Sequence, residues 1–431
     1  MALLRTTLDN GLRVLIRESQ AAPVVSVWIW YRAGVRNEHQ GITGISHWVE
    51  HMLFKGSERW PEGAADEAVA REGGVFNGMT WYDFTTYYET LPAHKISVAL
   101  DIESDRMRNV TFDPDEVEPE RSVIISERQG NENSPLFLLS EEVSAAAYRV
   151  HPYGHETLGH LCDLQTMTCE MLRDYYRTYY TPNNAILAIA CDFNAGEIER
   201  ITERYFGRIE AGPEPPPVSA VEPPQRGERR VVVEGAGQTD YLNMAFHIPA
   251  PRHEDEFGLP TYFALTVLNA VLAGASGFLV GGGVTNHTSR LYRALVETEF
   301  AIDVGGNLMT TVDPGLYQLM ATAWPGKALA DVEETLWAEI ARLQESPITQ
   351  EELEKAQRQA RALFAYASES TTHQAFWLGY SEIFADYEWF TRYLNNIAAV
   401  TTEDVQRVAQ TYLRPQNRTT GWYLSKKNNR P

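Results

Sequence analysis

The sequence predicts an α+β protein built as two tandem homologous domains, each a mainly antiparallel sheet packed with helices. Three observations carry this expectation. Strand-like and helical stretches follow one another in the same broad order on both sides of mid-chain. A strong turn signal, Asp9-Asn10-Gly11, joins two strand-like runs at the start. A proline-dense segment, Gly212-Pro213-Glu214-Pro215-Pro216-Pro217 continuing through Pro223-Pro224, divides the chain into nearly equal halves. Proline at that density forms neither helix nor central strand and reads as a stiff extended linker. The expected division is a domain at 1–212, a linker at 213–228 and a second domain at 229–431.

Taken in order, Thr6-Thr7-Leu8 and Leu12 to Ile16 flank the turn as a hairpin, and Val24 to Tyr31 is an apolar strand. A helix begins near Thr43-Gly44. A second helix is expected over Pro61 to Glu72, ended by Gly73-Gly74. Thr85 to Leu91 alternates as a strand does, while Val98 to Val110 and Asp115 to Gln129 read as helices. Beyond the linker, Arg230 to Glu234 and Tyr241 to Ile248 are strand-like. Helices are expected at Leu259–Leu272, Ser289–Glu297, Ala328–Gln344 and Thr349–Tyr366. The second half thus repeats the order hairpin then helices, as a duplication of one unit would.

Composition narrows the function classes. A chain of 431 residues has room for about two to four full cores. A net charge of −21 argues against a nucleic-acid partner, because neutralising phosphates needs a basic surface. Cys162, Cys169 and Cys191 are few and odd in number, with no C-x-x-C spacing, so neither a disulfide framework nor a cysteine zinc site is expected. No signal peptide is visible, and a cytoplasmic location is the expectation. From Phe257 to Ser289 there is no charged residue. Asn269 and the run Gly281-Gly282-Gly283 favour a buried helix leading into a glycine-rich loop over a membrane span.

The pentad His47-Trp48-Val49-Glu50-His51 carries the chemistry. Histidines four apart are separated by about 400° of helix rotation, so both imidazoles leave one face and can share a metal ion. Glu50 falls on the same side, within reach of a water there. The order H-x-x-E-H is the inverzincin pattern, which points to metal-assisted peptide hydrolysis. Two histidines leave a catalytic zinc site one protein ligand short. Glu120 and Glu127 are candidates, because seven residues of helix put them on one face about 10 Å apart. They flank Val123-Ile124, which places that face towards the interior, where a carboxylate needs a partner. A solvated face with salt bridges is the alternative. His151, His155 and His160 are interrupted by Pro152, Gly154 and Gly159, so a packed loop is expected there and not a second metal site. His39, His94, His247, His253, His287 and His373 are isolated, and the aromatic cluster Trp377 to Trp389 is read as helix packing or an interface.

The pentad, followed 76 residues later by Glu127, resembles the pitrilysin or insulinase family, which includes the mitochondrial processing peptidases. The resemblance implies zinc ligands at His47, His51 and Glu127, with Glu50 as general base. Glu120 would then be an acid supporting the site. Asn77-Gly78-Met79-Thr80-Trp81-Tyr82-Asp83-Phe84-Thr85-Thr86-Tyr87 is similar to the family's N-A-x-T-x-x-D-x-T-x-Y, with Gly78 in place of alanine. It implies that Asn77, Gly78 and Thr80 lie along the strand that binds a peptide backbone. His151-Pro152-Tyr153-Gly154 and Tyr179-Tyr180-Thr181-Pro182-Asn183 look like further family landmarks.

One departure matters. Active members carry an arginine and a tyrosine seven apart in the second half, after a glycine-rich loop and an S-R-L stretch. Here Gly281-Gly282-Gly283 and Ser289-Arg290-Leu291 are present, but Val296 and Ile302 or a neighbour stand where the pair is expected. Arg293 comes one turn too early. The chain therefore resembles the zinc-bearing subunit of a bacterial heterodimer. It implies a metalloendopeptidase with one Zn2+ per chain, a peptide substrate and a homologous partner subunit, in preference to a homodimer, with no nucleic-acid or membrane partner. The competing expectation is a non-catalytic scaffold of the same fold.

Overall fold

The computed structural model describes residues 3–19, 22–252, 261–275 and 287–426. They fold as two compact units with interleaved segments. One unit gathers Met1–Gln129, His155–Ala220 and Ser368–Phe390; the other gathers Gly130–Gly154, Val221–Ala367 and Thr391–Pro431.

In the first unit the strands are β1 (Leu3–Thr7), β2 (Arg13–Glu18), β3 (Val24–Tyr31), β4 (Val75–Thr80), β5 (Thr85–Pro92) and β6 (Ala185–Cys191). They form one sheet in the order β1-β2-β6-β3-β5-β4, antiparallel except where β2 meets β6. The expected first hairpin is present, with Gly11 at φ +88° in its turn. The Asn10 side-chain amide donates to the carbonyls of Phe206 and Ile209 at 2.8 Å, fastening that turn to the end of a helix.

One face of this sheet presents Val27, Ile29, Leu187 and Ile189 to Trp48, Val49, Met52 and Leu172 in a continuous core. The other face is covered by the helix Thr371–Phe384, drawn from late in the chain. Trp28 and Trp30 of β3 meet Phe376 with ring centres 5.3 Å apart, and Trp30 also meets Tyr380. The cluster Trp377 to Trp389 thus begins in a helix that packs on the sheet of the first unit. Arg32 donates to the carbonyls of Glu382 (2.9 Å) and Ile383 (3.3 Å), satisfying a helix end that has no intrahelical partners.

In the second unit the strands are β7 (Arg229–Ala236), β8 (Tyr241–Ile248), β9 (Ala301–Leu308), β10 (Gly315–Ala323) and β11 (Arg418–Lys426). Their order is β7-β11-β8-β10-β9. This repeats β2-β6-β3-β5-β4 strand for strand, including the one parallel pair. The expected second hairpin is corrected: β7 and β8 are not neighbours, because β11, the last strand among the described residues, inserts between them. Alternation reveals a strand but not its neighbour. The helix Pro135–Ala147 covers this sheet, so each unit borrows its covering helix from the opposite half of the sequence.

The expected helices appear with shifted ends. Pro61 to Glu72 contracts to Ala64–Arg71, and Ser289–Glu297 to a short wide turn at Tyr292–Val296. The apolar stretch gives the buried helix Thr261–Leu272, and no helix among the described residues is long and apolar enough to cross a membrane. Gly281-Gly282-Gly283 and His253 lie outside the described residues. The three cysteines are unpaired.

Candidate metal centre

The pentad lies on the helix Ile45–Phe54. Its entry is built by backbone and charge. Gly44 holds φ +86°, and a Cβ there would lie 2.7 Å from the Leu158 carbonyl oxygen. The buried Glu38 carboxylate accepts from the amides of Gly44 (2.8 Å) and Ser46 (3.0 Å), an anion on the positive end of the helix. Trp48, Val49, Met52 and Leu53 face the core, which turns His47 and His51 to the opposite side.

There the two Nε2 atoms stand 3.2 Å apart. The Glu127 Oε2 lies 3.7 Å from each, so three donors converge from two helices. Glu127 and Glu120 come from the helix Pro114–Asn131. Glu120 is buried, and its Oε1 lies 2.6 Å from His51 Nδ1. Its other oxygen is 3.0 Å from Lys55 Nζ, one turn beyond His51. The face reading holds for Ile124, which is fully buried, but Val123 is half exposed. A helical face is narrower than two adjacent positions.

Electrostatics sort these groups. Burial pushes the His47 ring down to about 3, with the neighbouring His51 adding to the effect, so His47 is neutral and presents a lone pair at neutral pH. Burial would lower His51 too, but the hydrogen bond to Glu120 and the charges of Glu50, Glu120 and Glu127 raise it. Glu120 is held below the usual carboxylate range, chiefly by His51. Burial raises Glu50, against the hydrogen bond that Thr80 donates to it.

The donor set fits a small divalent cation. Nitrogens about 2.0–2.1 Å from one tetrahedral Zn2+ lie roughly 3.3–3.4 Å apart, close to the observed 3.2 Å. Glu120 accepts the Nδ1 proton of His51, leaving Nε2 free to coordinate, as an outer carboxylate does for a ligating histidine. Among the described residues this trio is the one group of histidine, cysteine and carboxylate side chains so placed.

The pattern described as "Insulinase (Peptidase family M16)" matches residues 13–160, and "Peptidase M16 inactive domain" matches residues 166–360. The chain belongs to peptidase family M16, the insulinase family. It is 28% identical to the Helicobacter pylori zinc protease PqqE over 96% of this chain and 91% of that protein. It is 26% identical to a probable mitochondrial-processing peptidase subunit beta of Arabidopsis thaliana, covering 95% and 76% of the two chains. The crystal structure of a Helicobacter pylori protease superposes with a TM-score of 0.91 at 26% identity, over 98% of this chain and 99% of that one.

The other family positions are distributed as follows. Asn77, Gly78 and Thr80 lie on β4, which ends its sheet and leaves one backbone edge without a strand partner among the described residues. The Asn77 side chain is exposed and its Oδ1 accepts from the Gly78 amide at 2.8 Å. Gly78 departs from alanine because its space is taken: a Cβ would lie 2.8 Å from the Tyr87 ring and 3.1 Å from Phe54. The Thr80 hydroxyl is turned inward, 2.6 Å from Glu50 Oε2. In the second unit, Arg290 is committed to Glu352 by bonds of 2.7 and 2.8 Å, and Ile302 is exposed on β9.

His155 lies 3.7 Å from Glu38, whereas His151 meets Asp313 at 3.2 Å, so those histidines do not converge. Sequence reasoning passed over Lys55 and Glu38. Lys55 carried a signal, since 47, 51 and 55 share one helical face; Glu38, in a loop, carried none.

Proposed function

We propose that this chain is a zinc-dependent endopeptidase subunit. The observation that supports it best is the convergence of His47, His51 and Glu127, with Glu50 beside them and the open edge of β4 adjoining. Zn2+ bound there supplies a Lewis acid that acidifies water and polarises a carbonyl. Glu50 takes the proton of the attacking water and delivers it to the leaving amine. Glu50 is buried beside the trio, with its Oε2 fixed by the Thr80 hydroxyl. Glu120 and Lys55 hold the His51 ring in place. A peptide adds as an extended strand along β4, where backbone hydrogen bonds tolerate varied side chains.

The finer reading is that the chain works with a homologous partner. Val296 stands where the arginine is expected and Ile302 or a neighbour where the tyrosine is, and Arg290 is paired within its own unit. Removing such a charge-stabilising donor costs roughly 10²–10³ in rate. A peptide-cleavage assay of wild type and Glu50→Gln, each with and without a homologue bearing that pair, tests both levels. Equal turnover by wild type and Glu50→Gln would remove Glu50 from the mechanism. Full activity of the single chain would end the partner reading. The scaffold alternative predicts no stoichiometric zinc and indifference to a chelator.

A further inference from the structure

Thr80 occupies a position that the family motif associates with substrate, yet its hydroxyl is buried and points at Glu50. The bond is short, 2.6 Å from Thr80 Oγ1 to Glu50 Oε2, as expected for a hydroxyl donating to a carboxylate. Thr80 and Thr85 are the last and first residues of β4 and β5 and pair directly across the hairpin. Their hydroxyl oxygens are 3.3 Å apart. Thr85 is fully buried and donates its own proton to the Ala33 carbonyl at 2.9 Å. Both hydroxyl protons are thus spent, that of Thr80 on Glu50 and that of Thr85 on Ala33, so the two threonines meet as a close packing contact across the hairpin.

The consequences run from rotamers to chemistry. A glutamate has three side-chain torsions, and the hydrogen bond to the Glu50 head comes from Thr80 on β4. Threonine is stiff at its first torsion. Thr80, stiff at its first torsion and packed against a Thr85 that is itself fixed to the Ala33 carbonyl, therefore anchors Glu50 Oε2 to the sheet, which leaves Oε1 for a water. Because Thr80 sits on the edge strand β4, the same residue joins the expected peptide track to the base.

We infer that Thr80, backed by Thr85 and the Ala33 carbonyl, is the positioning residue that orients Glu50, and not a substrate ligand. This rests on Glu50 acting as the base, so the test carries an arm that does not need turnover. In the cleavage assay, Thr80→Val should lower kcat about 10–100-fold with KM and zinc content unchanged, since misplacement of about 1 Å costs on that order. Thr80→Ser should restore most of the rate, and Thr85→Val should cost a few-fold, about 3–10. A raised KM at unchanged kcat, or no rescue by serine, would overturn the assignment.

The second arm is a double-mutant cycle by thermal unfolding of the metal-free protein. Thr80→Val should lower Tm by about 3–6 °C in the wild-type background and leave Glu50→Ala unchanged. An equal Tm loss in both backgrounds overturns the proposal even where no peptidase activity exists. A wild type inactive both alone and with the homologue bearing the arginine–tyrosine pair, but with a clear coupling, would instead defeat the peptidase reading while upholding the Thr80–Glu50 link.

Discussion

Glu120 holds His51 by one carboxylate oxygen, 2.6 Å from Nδ1, and Lys55 by the other, 3.0 Å from Nζ. The ring is thereby locked with Nε2 towards His47 and Glu127. Replacing Glu120 by Gln should weaken zinc binding about 10–100-fold, the range for losing an outer carboxylate of a ligating histidine. Competition with a chromophoric chelator measures it. An unchanged zinc affinity would mean that Glu120 only neutralises Lys55.

Glu50 lies outside the converging donor trio, and the role proposed for it is proton transfer. Glu50→Gln should keep stoichiometric zinc while lowering kcat by about 10²–10⁴. Metal analysis and single-turnover cleavage on one preparation separate the two. Loss of zinc in the variant would make Glu50 a ligand.

Gly379 lets the covering helix lie against β3. A Cβ there would sit 2.0 Å from Trp30 Nε1, in the middle of the Trp28–Trp30–Phe376–Tyr380 packing. Gly379→Ala should destabilise the unit by about 1–3 kcal/mol through overpacking, despite alanine's better helix propensity. Urea unfolding should show a lower midpoint at an unchanged slope; a stabilised variant would contradict the packing argument.

Two buried carboxylates, Glu89 and Glu103, share one buried guanidinium, Arg106, which also stacks on Phe54, Phe76 and Tyr87. Tyr31, Tyr87, Tyr176 and Tyr180 surround the group. Burial, then the proximity of Glu103, raises the Glu89 pKa well above its ordinary value. The folded protein thus holds a proton that the unfolded chain releases near its ordinary pKa. The sign follows: this stability is fully present at acid pH and falls as pH rises through the window between the two values. Glu89→Gln leaves one carboxylate for one guanidinium and removes that slope. Its Tm relative to wild type should climb between pH 5 and 8, by about 2–4 °C for each kcal/mol involved. A constant difference would show that Glu89 is ionised throughout.

Much of the fold, and the pairing of candidate side chains on each helix, was legible because periodicity and spacing are local, whereas the choice of Glu127 over Glu120 came from the family resemblance. Val24 to Tyr31 is a strand at the bounds its apolar run indicated, and the Asp9-Asn10-Gly11 turn closes the hairpin it announces. His47 and His51 share a face because four residues slightly overshoot one helical turn, and Glu120 and Glu127 because seven nearly complete two. β4 was visible only through a family motif, since Asn77, Gly78 and Met79 have poor intrinsic preference for strand.

By itself the sequence determined the donor types, their helical faces, the two-sheet architecture and the charge that disfavours nucleic acid. Only the tertiary structure decided which helix covers which sheet, where β11 inserts, that Glu120 faces Nδ1 of His51, and that Thr80 turns to Glu50. Those relations join residues from about 30 to several hundred positions apart, and no local period encodes them. They are settled by burial, which forces each enclosed polar group to find its partner wherever the packing brings one.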